Sequence, residues 1–97
     1  IHENTEFQTD DFTNTALKTY QKLALKKSIA ALEQVDITKR YHGTMTMAID
    51  SSKINEAKTM LREFRQKFCS DIQSAGNLNH VYQLNLGFYP LINKEEI

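Results

Sequence analysis

The sequence predicts an α+β domain of two layers, in the order helix, strand, helix, strand, with a small sheet. Two long stretches carry apolar residues at steps of three and four, which is helical spacing. Two shorter stretches alternate apolar with polar residues, which is strand spacing. The order supplies a third observation. A helix as long as the strands it joins returns the chain to the starting end of the first strand, so the two strands are expected to run parallel through a right-handed crossover, adjacent or not.

A chain of 97 residues suits one domain rather than two. Lysine plus arginine number 12, aspartate plus glutamate number 12, and 40% of residues are hydrophobic, so the composition is that of a globular chain. The charges cancel, which leaves no basic excess of the kind a nucleic-acid-binding domain carries. DNA contact, if the protein makes any, is therefore expected only through a missing N-terminal region. No apolar run approaches the roughly 20 residues that cross a bilayer, and no membrane partner is expected. Cys69 is the one cysteine, which rules out an intrachain disulfide and fits a reducing, cytoplasmic setting.

Residues 1–12 carry Glu3, Glu6, Asp10 and Asp11 with little apolar periodicity and read as a linker from a missing N-terminal part. A single α+β domain is expected over residues 13–92, followed by a polar tail over 93–97. Its first helix starts near Thr13 or Asn14, either of which can cap free backbone N–H groups. Leu17, Tyr20, Ala24, Ala31, Leu32 and Val35 share one side of it, with Leu25 and Ile29 widening the stripe. Lys18, Lys22, Lys26 and Glu33 take the other side, and the helix ends near Asp36. From Tyr41 to Asp50 the period changes to two, with Tyr41, Gly43, Met45, Met47 and Ile49 on the greasier face of a strand.

Asp50, Ser51 and Ser52 are competing caps for the second helix, whose apolar positions are Ile54, Ala57, Leu61, Phe64, Phe68, Ile72 and Ala75. Gly76 suits the left-handed residue that closes it, which gives about 24 residues and roughly 36 Å. In the last strand, His80 to Leu91, the side chains of Tyr82, Leu84, Leu86 and Phe88 point one way and those of Val81, Gln83, Asn85 and Gly87 the other, until Pro90 ends it. Two strands leave two unpaired edges and a thin core, so the sheet or the helical layer is expected to be completed by homodimerisation.

Three stretches then resemble a bacterial family whose C-terminal part is the domain of unknown function 4423: residues 40–49 (Arg-Tyr-His-Gly-Thr-Met-Thr-Met-Ala-Ile), 60–65 (Met-Leu-Arg-Glu-Phe-Arg) and 81–86 (Val-Tyr-Gln-Leu-Asn-Leu) with Pro90 and Leu91. The likeness runs from about Thr15 to Leu91, and the Val-Tyr-Gln-Leu-Asn run is its most specific part. Gly87, Phe88 and Tyr89 depart from the family's pattern. Members resemble one another in an N-terminal region of helix-turn-helix character, so the resemblance implies the C-terminal domain of a transcription regulator. It brings no catalytic residues with it.

The residues themselves offer no catalytic, cofactor or metal site. His42, His80 and Cys69 are not in the close pairs that structural zinc uses, and no glycine-rich elbow or acidic orienter accompanies Cys69 as a nucleophile. Cys69, beside an apolar Phe68, reads as a small hydrophobe. Tyr82, Gln83 and Asn85 form one candidate interface or ligand face, because side-chain amides both donate and accept; a solvated sheet face explains the same pattern. Arg62 and Arg65 form the other candidate, although with Glu56, Glu63 and Lys58 they also read as an exposed face of mixed charge. Lys18, Lys22, Lys26 and Lys27 read as a solvated face before they read as phosphate contacts. Two functions follow as expectations: a non-enzymatic dimerisation or regulatory domain that acts as a homodimer, or a sensor domain for an unknown small-molecule effector.

Overall fold

The computed structural model describes residues 15–92. Helix α1 spans Thr15–Gln34 and helix α2 spans Ile54–Gln73, 20 residues each. Single turns of 3-10 helix at Ile37–Lys39 and Ser51–Lys53 follow α1 and precede α2. The expected linker, the expected start of the first helix at Thr13 or Asn14 and the polar tail lie outside the described residues.

The α+β expectation is overturned: the described residues form two helices and no strand, an all-α architecture. Residues 41–50 and 80–91 carry the alternation of strands, yet no backbone hydrogen bond joins them to each other among the described residues. The reason is physical. A period of two sorts side chains onto two faces, but a strand exists only where a second backbone supplies the ladder, and alternation does not name that backbone. With no ladder there is no sheet, and the parallel crossover expected from the element order has nothing to connect.

The boundaries follow local chemistry. Helix α1 gives way to an N-cap at Asp36, whose carboxylate accepts from the backbone N–H of Thr38 at 3.0 Å and from the Thr38 hydroxyl, and so starts the first 3-10 turn. Arg40 then folds back, its Nε donating to the carbonyl of Val35 at 2.8 Å near the end of α1. Of the three competing caps before α2, Asp50 is the one used: it accepts from the Ser52 N–H at 2.9 Å and caps the 3-10 turn that runs straight into the helix. Helix α2 ends at Gln73, three residues before Gly76 with its positive φ of 96°. At that φ a side chain is strained whatever the space around it, which is why glycine occupies the turn.

Burial separates the two faces of each helix. On α1 only Leu17 and Ala24 are fully buried, and they are the whole buried apolar set among the described residues. Leu25, Ile29 and Leu32, expected on the core stripe, are exposed. On α2 the half-buried side carries Lys58, Leu61, Arg62, Arg65, Cys69 and Gln73, whereas Met60, Phe64, Phe68 and Ile72 lie open. The expected apolar core face of α2 is thus largely its outer face.

Two outcomes test this description. Leu17→Ala lowers unfolding free energy by about 2 to 3 kcal/mol, as for a buried leucine, while Leu25→Ala changes it by less than about 0.5 kcal/mol in a chain that stays monomeric; urea unfolding compares them. Asp36 is held below the ordinary carboxylate range, first by the Thr38 hydroxyl, then by the Thr38 backbone N–H and the charge of Arg40. A depressed folded pKa means that the cap stabilises the fold above the unfolded value and that this stabilisation is lost as pH falls through the folded one. The Thr38 amide resonance followed by NMR therefore titrates with a midpoint below that of a free aspartate.

Candidate functional site

Three of the side-chain contacts that tie the two irregular segments down are made to one helix, α1. Near the start of the first segment, His42 Nε2 sits 3.1 Å from both the carbonyl oxygen and the hydroxyl of Ser28 on α1. A carbonyl only accepts, so the ring proton that meets it is on Nε2. From the second segment, Asn85 Nδ2 donates to the carbonyl of Ala24 at 3.2 Å and Gln83 Nε2 donates to the Tyr20 hydroxyl at 3.3 Å. Tyr82 reaches the other way, its hydroxyl donating to the Lys39 carbonyl at 2.8 Å. Side-chain amides and rings thus do for these segments what a backbone ladder does in a sheet.

This changes the reading of the first candidate face. Gln83 is exposed and Asn85 half-buried, and each donates one amide N–H to α1. Tyr82 is exposed apart from its bond to Lys39, and Leu84, Leu86 and Phe88, expected to point into the core, remain exposed. The structure therefore brings Tyr82, Gln83 and Asn85 together as an anchoring set.

Arg62 and Arg65 lie on the half-buried side of α2 with Lys58, not on an exposed face. Two exposed ion pairs lie along this part of the chain, Lys53 of the preceding 3-10 turn with Glu56 at 3.4 Å and Lys67 with Asp71 at 2.8 Å, each worth on the order of 0.3 to 0.5 kcal/mol. Cys69 shares the half-buried side, and Gln73 Nε2 donates to its sulfur at 3.2 Å. Its neighbour Phe68 is not buried, contrary to expectation. His80 Nδ1 lies 2.8 Å from the side-chain oxygen of Asn79. No group of three or more histidine, cysteine, aspartate or glutamate side chains converges among the described residues.

What sequence reasoning missed lies on the outer side of α2. Phe64 and Phe68 stack with ring centroids 5.6 Å apart, and with Lys67, Asp71 and Ile72 they line an open groove along the helix. The signal was present in the periodicity, but spacing alone assigns such a stripe to a core. No helix among the described residues is long and apolar enough to cross a membrane.

A family model covers residues 1–91, nearly the whole chain. The chain belongs to the family described as domain of unknown function (DUF4423). That match agrees with the resemblance carried by residues 40–49, 60–65 and 81–86, and it also takes in residues 1–12. No curated protein and no solved structure matches the chain. For this domain of unknown function, the anchoring set yields one expected outcome. Asn85→Ala removes its hydrogen bond to the Ala24 carbonyl and costs about 1 kcal/mol, and hydrogen exchange in residues 83–86 rises relative to that within α1.

Proposed function

We propose that this domain is a non-enzymatic dimerisation module, the C-terminal part of a bacterial transcription regulator whose DNA-contacting part lies elsewhere in the protein. One observation carries the dimerisation half of the reading. Among the described residues only Leu17 and Ala24 are buried, although apolar residues line both helices and both irregular segments. Two buried side chains do not offset the entropy of ordering a domain, so the apolar surface has to close on something further. A second copy of the same chain supplies that surface without any other gene product, and twofold pairing is the commonest way soluble proteins assemble.

The regulator half rests on the family resemblance and its helix-turn-helix-like N-terminal region. Balanced charge suits such a division of labour, because a neutral domain leaves phosphate binding to another part of the protein. A symmetric dimer then has a mechanical use: it sets the distance between two DNA-binding heads and so the spacing of the half-sites they read. In the sensor alternative an effector at Gln83 and Asn85 has to use what remains of amides that each already give one N–H to α1.

Light scattering across a concentration series tests the reading. The expected mass is twice the 11.2 kDa chain over the micromolar range, and a constant 11.2 kDa overturns it.

A further inference from the structure

We propose that the dimer forms through the outer side of α2, with the ridge Met60, Phe64, Phe68 and Ile72 packed antiparallel against the same ridge of a second copy. This rests on the dimer reading above and adds the surface and its geometry.

The ridge is a single row at steps of four, and such rows interdigitate in the commonest class of helix packing. Its members are 62%, 51%, 41% and 64% exposed, although all four are large and apolar. Lys58, Leu61, Arg62, Arg65, Cys69 and Gln73 on the other side of α2 are half-buried, whereas the ridge is exposed.

Three features commit the ridge to a second copy of this chain. The first is its symmetry. About the level of Gln66 the row reads the same way in both directions in size and polarity, so that in an antiparallel pair Phe64 meets Phe68 of the second copy and Met60 meets its Ile72. An isologous interface requires such self-complementarity, and an unrelated partner does not. The second is charge. Glu63 and Lys67 lie one turn apart on the same flank of the ridge, and antiparallel alignment about Gln66 sets Glu63 only about 3 Å along the axis from Lys67 of the second copy, twice over by symmetry. Asp71, already 2.8 Å from Lys67, extends each pair into a network of three charges. Antiparallel helices also set the positive end of one macrodipole beside the negative end of the other.

The third is area. At about 200 Å² for each fully exposed large side chain, the open fractions of the ridge amount to roughly 450 Å² per copy, or about 900 Å² in the pair. The lower bound for a specific interface is about 1,000 Å², which the ridge pair approaches and the apolar stem of Lys67 on its flank extends.

The test uses the whole chain and separates this surface from dimerisation as such. In a Cys69→Ser background, Asn55→Cys and Gln66→Cys each carry a spin label on a part of α2 away from the ridge, and pulsed electron resonance measures the distance between copies. An antiparallel pair centred at residue 66 keeps the two Gln66 labels level along the axis, separated only across the width of the helix pair. It offsets the two Asn55 labels by about 33 Å along the axis at ~1.5 Å per residue, so the Asn55 separation is clearly the longer. Equal separations at the two positions, or the longer one at Gln66, overturn the proposal and leave the dimer standing.

Phe64→Glu with Phe68→Glu supplies the second arm. Loss of the dimer, with at least a 100-fold rise in the dissociation constant, is the expected result. A double variant that stays dimeric at wild-type strength overturns the surface but not the dimer. A wild-type chain that is monomeric throughout overturns both. Where the double variant fails to fold, the label distances in the otherwise intact chain decide.

Discussion

Apolar surface that has no core to close on governs this domain. Leu17 and Ala24 are buried, while Phe64, Phe68, Leu84, Leu86 and Phe88 are not, so the hydrophobic driving force that orders a small protein is left mostly unspent within the described residues. Everything else about the structure is arranged around that condition. Helices form because their hydrogen bonds are satisfied internally, whatever surrounds them. The two segments with strand-like alternation, which need an outside backbone to become strands, stay irregular and are tied down by side chains instead.

Those ties are few and specific. His42 to Ser28, Gln83 to Tyr20 and Asn85 to the Ala24 carbonyl all converge on α1, which makes that helix the post to which both segments are fastened. Helix α2 plays a different part. It begins from a 3-10 turn capped by Asp50, ends before Gly76, and carries half-buried Lys58, Arg62, Arg65 and Cys69 on one side and exposed phenylalanines on another. A helix so oriented is suited to association, because the surface it presents is the one that water solvates least well.

The division between anchoring and presenting surfaces also bears on chemistry. The amides of Gln83 and Asn85 each give one N–H to α1, and no group of three or more histidine, cysteine, aspartate or glutamate side chains converges among the described residues. The open surface is aromatic and aliphatic, with Lys67 and Asp71 at its margin. Such a surface offers shape and apolar area for contact.

Much of this was legible in the residues alone, and the reason is locality. Steps of three and four marked both helices, the carboxylates of Asp36 and Asp50 sit at the turns that flank them, and Gly76 stands where a left-handed residue is needed; each of these depends on neighbours a few positions away. Periodicity also showed which residues of α2 are apolar, but not that Met60, Phe64, Phe68 and Ile72 face outward. It showed that residues 41–50 and 80–91 alternate, but not that no backbone pairs with them, nor that Gln83 and Asn85 turn onto α1. Those outcomes depend on contacts between residues as far apart as Tyr20 and Gln83. A face acquires its meaning from what lies against it, and only the tertiary structure decides that.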